Sequence, residues 1–71
     1  MNDTIRPAEV AVQAFGTARK MAHLLGIDPS AVSRWRSLGH IPSAHQRRVL
    51  ELAWERGIDL TAHDIIFGRH K

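Results

Sequence analysis

Between Pro29 and Leu38 the chain places Ser30, Ser33, Arg34 and Arg36 within about three helical turns. Residues three and four apart share a helix face, so Ser30, Ser33 and Arg34 project together. An arginine fork matches paired acceptors, such as the O6 and N7 atoms of guanine or two oxygens of a phosphate. Serine hydroxyls donate or accept only at close approach. Two further donor sets flank this one in sequence: Thr17, Arg19 and Lys20 before it, and Ser43, His45 and Arg47 after it. Both are expected at helix N-termini, where free N–H groups and the positive dipole end favour an anion. The chemistry on offer is the binding of a polyanion.

Other chemistries find little to work with. The five histidines, His23, His40, His45, His63 and His70, include no i,i+4 pair, and the chain has no cysteine. No metal site is therefore expected. Serines and carboxylates occur, but none lies in a nucleophile elbow, a Gly-rich phosphate loop or a carboxylate pair. Neither catalysis, a cofactor nor a small-molecule ligand is expected. Cysteine-free chains are compatible with a reducing cytoplasm. The opening MNDTIRPAEV has no apolar leader core, and no run approaches the ~18 apolar residues of a membrane span. A soluble, cytoplasmic protein is expected.

Charge is distributed unevenly. Between Thr17 and Arg48 lie Arg19, Lys20, Arg34, Arg36, Arg47 and Arg48, opposed only by Asp28. Glu51, Glu55, Asp59 and Asp64 fall in the last third, so a net charge of only +3 still leaves one strongly basic region. That asymmetry suits a protein that docks one face on a polyanion.

The elements that must position these groups follow from the punctuation. Breaks at Pro7, Gly16, Gly26, Asp28-Pro29, Gly39, Ile41-Pro42 and Gly57 divide 71 residues into helical segments, and no stretch alternates like a strand. A first helix is expected over Pro7–Phe15, with Val10, Ala11, Ala14 and Phe15 inward. Thr17 caps a second over Ala18–Leu25, whose inward stripe is Met21, Ala22 and Leu25. Asp28 caps a third over Pro29–Leu38, with Val32 and Trp35 inward and Ser37 on the outer side. Ser43 and Gln46 form a capping box for a fourth helix over Ala44–Arg56, with Val49, Leu50, Ala53 and Trp54 as its stripe. Thr61 and Asp64 repeat that logic for a short turn over Ala62–Phe67. One domain covering 1–71 is expected, with 1–5 and 68–71 frayed.

With Gly26 as the turn glycine, Thr17–Gly39 falls into the register of a helix-turn-helix. Ala22 lies four positions before it, Ile27 directly after it, and Val32 and Trp35 six and nine after it. These are the small and apolar positions at which two crossed helices pack. The chain resembles the small phage-repressor and Cro-like DNA-binding proteins, including short regulators with a Gly-x-Ile/Val-Pro step, here Gly39-His40-Ile41-Pro42. The resemblance covers residues 7–66. It implies an all-α, lambda-repressor-like fold of four or five helices that binds a palindromic operator as a homodimer, in a bacterial or phage-infected cell. Carried over by position, the base-reading set is Ser30, Ser33 and Arg34, with helix 3 in the major groove. Pro29 also falls on a reading position, where many relatives carry glutamine. Proline cannot donate to a base, so that contact is expected to be absent or shifted.

The remaining residues are weighed by type. Arg34 is the first choice for guanine, with a phosphate or plain solvent as the alternatives. Arg36 suits a phosphate better than a base. Thr17, Arg19, Lys20, Ser43, His45 and Arg47 suit phosphates, although Arg47 and Arg48 would equally serve as exposed partners of Glu51 or Glu55. Trp35 and Trp54 lie on apolar stripes, so core packing is expected, with a dimer interface as the alternative for Trp54. The fourth helix around Trp54, or 58–67 with Leu60, Ile65, Ile66 and Phe67, is the expected dimer surface. A repressor is favoured over an activator because steric exclusion of polymerase needs no effector domain. The rival is a protein-interaction module that reuses the motif, such as an antitoxin or a phage-encoded adaptor or inhibitor. The outward arginines and the lack of a long disordered tail count against it.

Overall fold

Local capping sets the helix starts. Thr17 Oγ1 accepts from the Lys20 amide at 3.0 Å, and Asp28 Oδ1 accepts from the Ser30 amide at 2.8 Å. Each satisfies a donor that the first helical turn leaves without a partner. Proline opens α1 and α3, where its missing N–H costs nothing. The computed structural model describes residues 4–70, and their order is β1 (Thr4–Ile5), α1 (Pro7–Phe15), α2 (Ala18–Leu25), α3 (Pro29–Leu38), α4 (Ser43–Glu55), α5 (Ala62–Phe67) and β2 (Arg69–His70). The architecture is mostly helical, as expected; α1, α2, α3 and α5 carry the expected bounds, and α4 begins and ends one residue before the expected Ala44–Arg56.

The core sits where α1, α2 and α3 meet, closed by α4 and α5. Phe15, Met21, Val32, Ile41, Val49, Leu60 and Ile65 are its largest fully buried side chains. Ala22, Val32 and Trp35 are buried, and Ile27 packs partly against them, so the register on Gly26 describes the α2–α3 contact correctly. Alanine at position 22 leaves room for the helices to cross closely. Deleting a core side chain such as Trp35 costs about 3–5 kcal/mol in comparable sites.

Four expectations are corrected. Thr4 and Ile5 pair antiparallel with His70 and Arg69, so the described residues include a short β-ribbon and 4–5 and 68–70 are not frayed. The rest of the expected frayed ends, 1–3 and 71, lies outside the described residues. Two-residue strands carry no alternation to read, and Gly68 makes this one possible: a β-carbon there would collide with the Ile5 carbonyl and touch the Pro7 ring.

The capping box at Ser43 does not form. Pro42 occupies the N-cap of α4 without a side-chain cap, and Gln46 Nε2 donates to the Ile41 carbonyl at 2.9 Å. Trp54 is not core. It is 62% exposed, and Leu52 takes the buried place on α4. At 100° per residue Leu52 lies nearer the Val49–Ala53 line than Trp54 does. Finally, Leu60 and Ile65 are buried, which leaves Ile66 and Phe67 as the exposed large apolar residues of the 58–67 segment. The capping box at Thr61 and Asp64 does form, with both reciprocal hydrogen bonds.

Candidate nucleic-acid interface

Gly26 (φ 73°, ψ 32°) closes α2 in the left-handed region, and the Ile27 amide donates to the Ala22 carbonyl at 3.0 Å. This turn aims α3 outward. Val32 and Trp35 pin one side of α3 to the core, leaving Pro29, Ser30, Ser33, Arg34 and Ser37 exposed on the other. The expected base-reading set is therefore brought together on one accessible surface. Ser37 belongs to the same surface, four residues after Ser33, and that spacing was legible in the sequence.

The cations divide into free and engaged groups. Arg19, Lys20 and Arg34 are exposed and, among the described residues, form no ion pair. Arg36 is different. Its Nε lies 2.9 Å from Glu9 Oε1, which draws the guanidinium toward α1. Arg47 pairs with Glu51 one turn on, at 3.5 Å. Both pairs are exposed, a setting in which ion pairs contribute about 0–1 kcal/mol, so either arginine can be redirected to a stronger anion. His45 is exposed, with its ring centroid 5.0 Å from that of Trp35, which ties the start of α4 to the back of α3. Ser43, the first residue of α4, is exposed.

Electrostatics separates the helix N-termini. At α3 the ionised Asp28 carboxylate is the cap, and the Ser30 backbone N–H and then its hydroxyl hold its pKa below the usual carboxylate range. That negative charge offsets the positive end of the α3 dipole. At α2 the cap is the neutral Thr17, beside the free Arg19 and Lys20. Anion attraction is thus concentrated at the start of α2, while the start of α3 is left to neutral and short-range contacts.

One residue escaped the sequence reading. Arg6 Nη2 donates to the Leu38 carbonyl at 2.7 Å, a contact across 32 residues with no local signal. The exposed Leu38 side chain likewise adds an apolar group at the end of α3.

A helix-turn-helix with an exposed serine–arginine face is on its own a geometric likeness. A family model described as DNA-binding transcriptional regulator Cro matches residues 7–52. The chain belongs to the Cro family. The match begins at the first residue of α1 and ends within α4, so it takes in both helices of the motif and every candidate contact residue. Against the expected span of 7–66, α5 and the β-ribbon fall beyond the matched part of the Cro family. No curated protein and no solved structure matches the chain. Among the described residues no helix is long and apolar enough to cross a membrane.

Proposed function

We propose that this Cro-family regulator is a repressor that binds a palindromic operator as a homodimer, with α3 in the major groove of each half-site. The observation that carries the reading is the exposed, unpaired Arg34 among Ser30, Ser33 and Ser37 on the outer face of α3. Arg34 reads guanine through O6 and N7, and the serines contact base edges or phosphates at close range. Thr17, Arg19 and Lys20 hold the phosphates on one side of the groove, and Ser43, His45 and Arg47 those on the other. In this arrangement Arg36 exchanges Glu9 for a phosphate, and Arg47 does the same with Glu51. Occupying the operator excludes polymerase without any effector segment.

Dimer contacts are assigned to the exposed Trp54 on α4. Tryptophan is enriched among residues that dominate interfaces, and Trp54 lies outside the core. Selection from a random DNA pool tests the whole reading. A palindrome with half-sites about one helical turn apart is the expected product. Recovery of no preferred sequence refutes it.

A further inference from the structure

Three contacts join the first turn of α1 to the last turn of α3. Arg6, the N-cap residue of α1, donates from Nη2 to the Leu38 carbonyl at 2.7 Å. The Ala8 amide donates to the Gly39 carbonyl at 3.2 Å, and Arg36 Nε donates to Glu9 Oε1 at 2.9 Å. The arginine's approach depends on Gly39, because its guanidinium occupies the space that a β-carbon at residue 39 would fill. None of the three contacts lies on the outer face of α3. All of them fix its far end to the body of the protein.

We propose that Arg6 is a positioning residue for DNA reading: it caps the C-terminus of α3 and sets how that helix is presented to the groove. Helix ends carry unpaired carbonyls and a negative dipole end, which a guanidinium satisfies by hydrogen bonding and charge together. The turn at Gly26 fixes where α3 starts, and the packing of Val32 and Trp35 fixes which side faces in. Beyond Trp35 the Leu38 side chain is half-exposed and packs into no core, and its backbone carbonyl is held by Arg6. Arg6 is itself anchored, since β1, immediately before it, pairs with β2. The tail at 69–70 is thereby linked through Arg6 to the recognition helix.

The inference rests on the proposed reading of DNA by α3, and the test separates the two. Wild type, R6A and R6K are titrated by fluorescence anisotropy against the selected operator and an unrelated duplex, over a range of salt. Circular dichroism checks that each variant keeps its helices, and R6K guards the test if R6A unfolds. R6A is expected to lose about fivefold on the operator, the size of one net hydrogen bond, with affinity for the unrelated duplex and the salt slope unchanged. R6K, which keeps a donor and a charge, recovers part of that loss. Equal losses on both duplexes with a slope reduced by about one would make Arg6 a phosphate ligand and overturn the proposal. So would an R6A variant that keeps the wild-type preference for the operator. Failure of the wild type to prefer any sequence appears in its own arm, and defeats the reading of DNA before any variant is compared.

Discussion

Arg69 holds Asp64 through two hydrogen bonds, Nη2 to Oδ2 at 2.5 Å and Nε to Oδ1 at 3.2 Å. The same carboxylate caps α5 by accepting from the Thr61 amide at 3.0 Å, so one buried acid ties the last helix to the β-ribbon. Arg69 and then the Thr61 contacts outweigh burial and lower the Asp64 pKa from 3.8 to about 2.

That shift makes stability depend on pH in one direction. Because the folded-state pKa lies below the unfolded value, the contribution is present above about pH 4 and is lost as pH falls toward 2. After allowing for solvent screening at the half-exposed Arg69, it is on the order of 1–2 kcal/mol. Urea denaturation of wild type and Asp64→Asn should therefore differ by about that amount at pH 7 and converge near pH 2. An equal gap at both values would show that the carboxylate's charge is not what stabilises this corner.

Arg34 and Lys20 should fail differently. Arg34→Ala is expected to relax base preference at one position per half-site, at about 1–3 kcal/mol. Lys20→Ala should weaken all sequences alike and lower the salt slope by about one unit. Competition gel shifts with single-base operator variants distinguish the two. If both variants bind the operator as wild type does, the assigned docking face is wrong.

The two tryptophans should separate cleanly in a stability assay. Trp35 is buried and Trp54 is 62% exposed, with one hydrogen bond from Nε1 to the Leu60 carbonyl at 3.2 Å. Trp35→Ala should cost about 3–5 kcal/mol, whereas in the monomer Trp54→Ala should cost about 1 kcal/mol. Iodide quenching gives an independent check: at concentrations where the protein is monomeric, most quenchable emission should vanish in Trp54→Phe and persist in Trp35→Phe.

If Trp54 forms the dimer contact, Trp54→Lys should shift sedimentation toward monomer while leaving the helical circular dichroism intact. Operator binding should then weaken and become less steep in protein concentration, since each half-site must be filled separately. An unchanged association constant would move the interface elsewhere, with exposed Ile66 and Phe67 as the remaining apolar surface on α5.

Much of the site was legible because its signals are local. The caps at Thr17 and Asp28, the turn at Gly26 and the 3.6-residue period of α3 all lie within a few residues of what they determine. Together they predict which face of α3 is pinned and which is exposed. The α4 stripe was harder, because Leu50, Leu52 and Trp54 are all apolar and only the direction of the core separates them. Ser43 satisfies the pattern of a capping box, yet Pro42 takes the cap and Gln46 turns to Ile41 instead.

The bounds of α1, α2, α3 and α5, the register of the helix-turn-helix and the serine–arginine face were thus legible in the sequence, because each depends on interactions within one or two helical turns. The tertiary structure alone decided the pairing of Ile5 with Arg69, the exposure of Trp54 and the capping of Leu38 by Arg6. The strand pairing and the Arg6 contact join residues far apart in the chain, and the exposure of Trp54 depends on where α4 meets the core. Local pattern cannot encode these. They are settled when the packed core brings β1, β2 and the last turn of α3 to the same place.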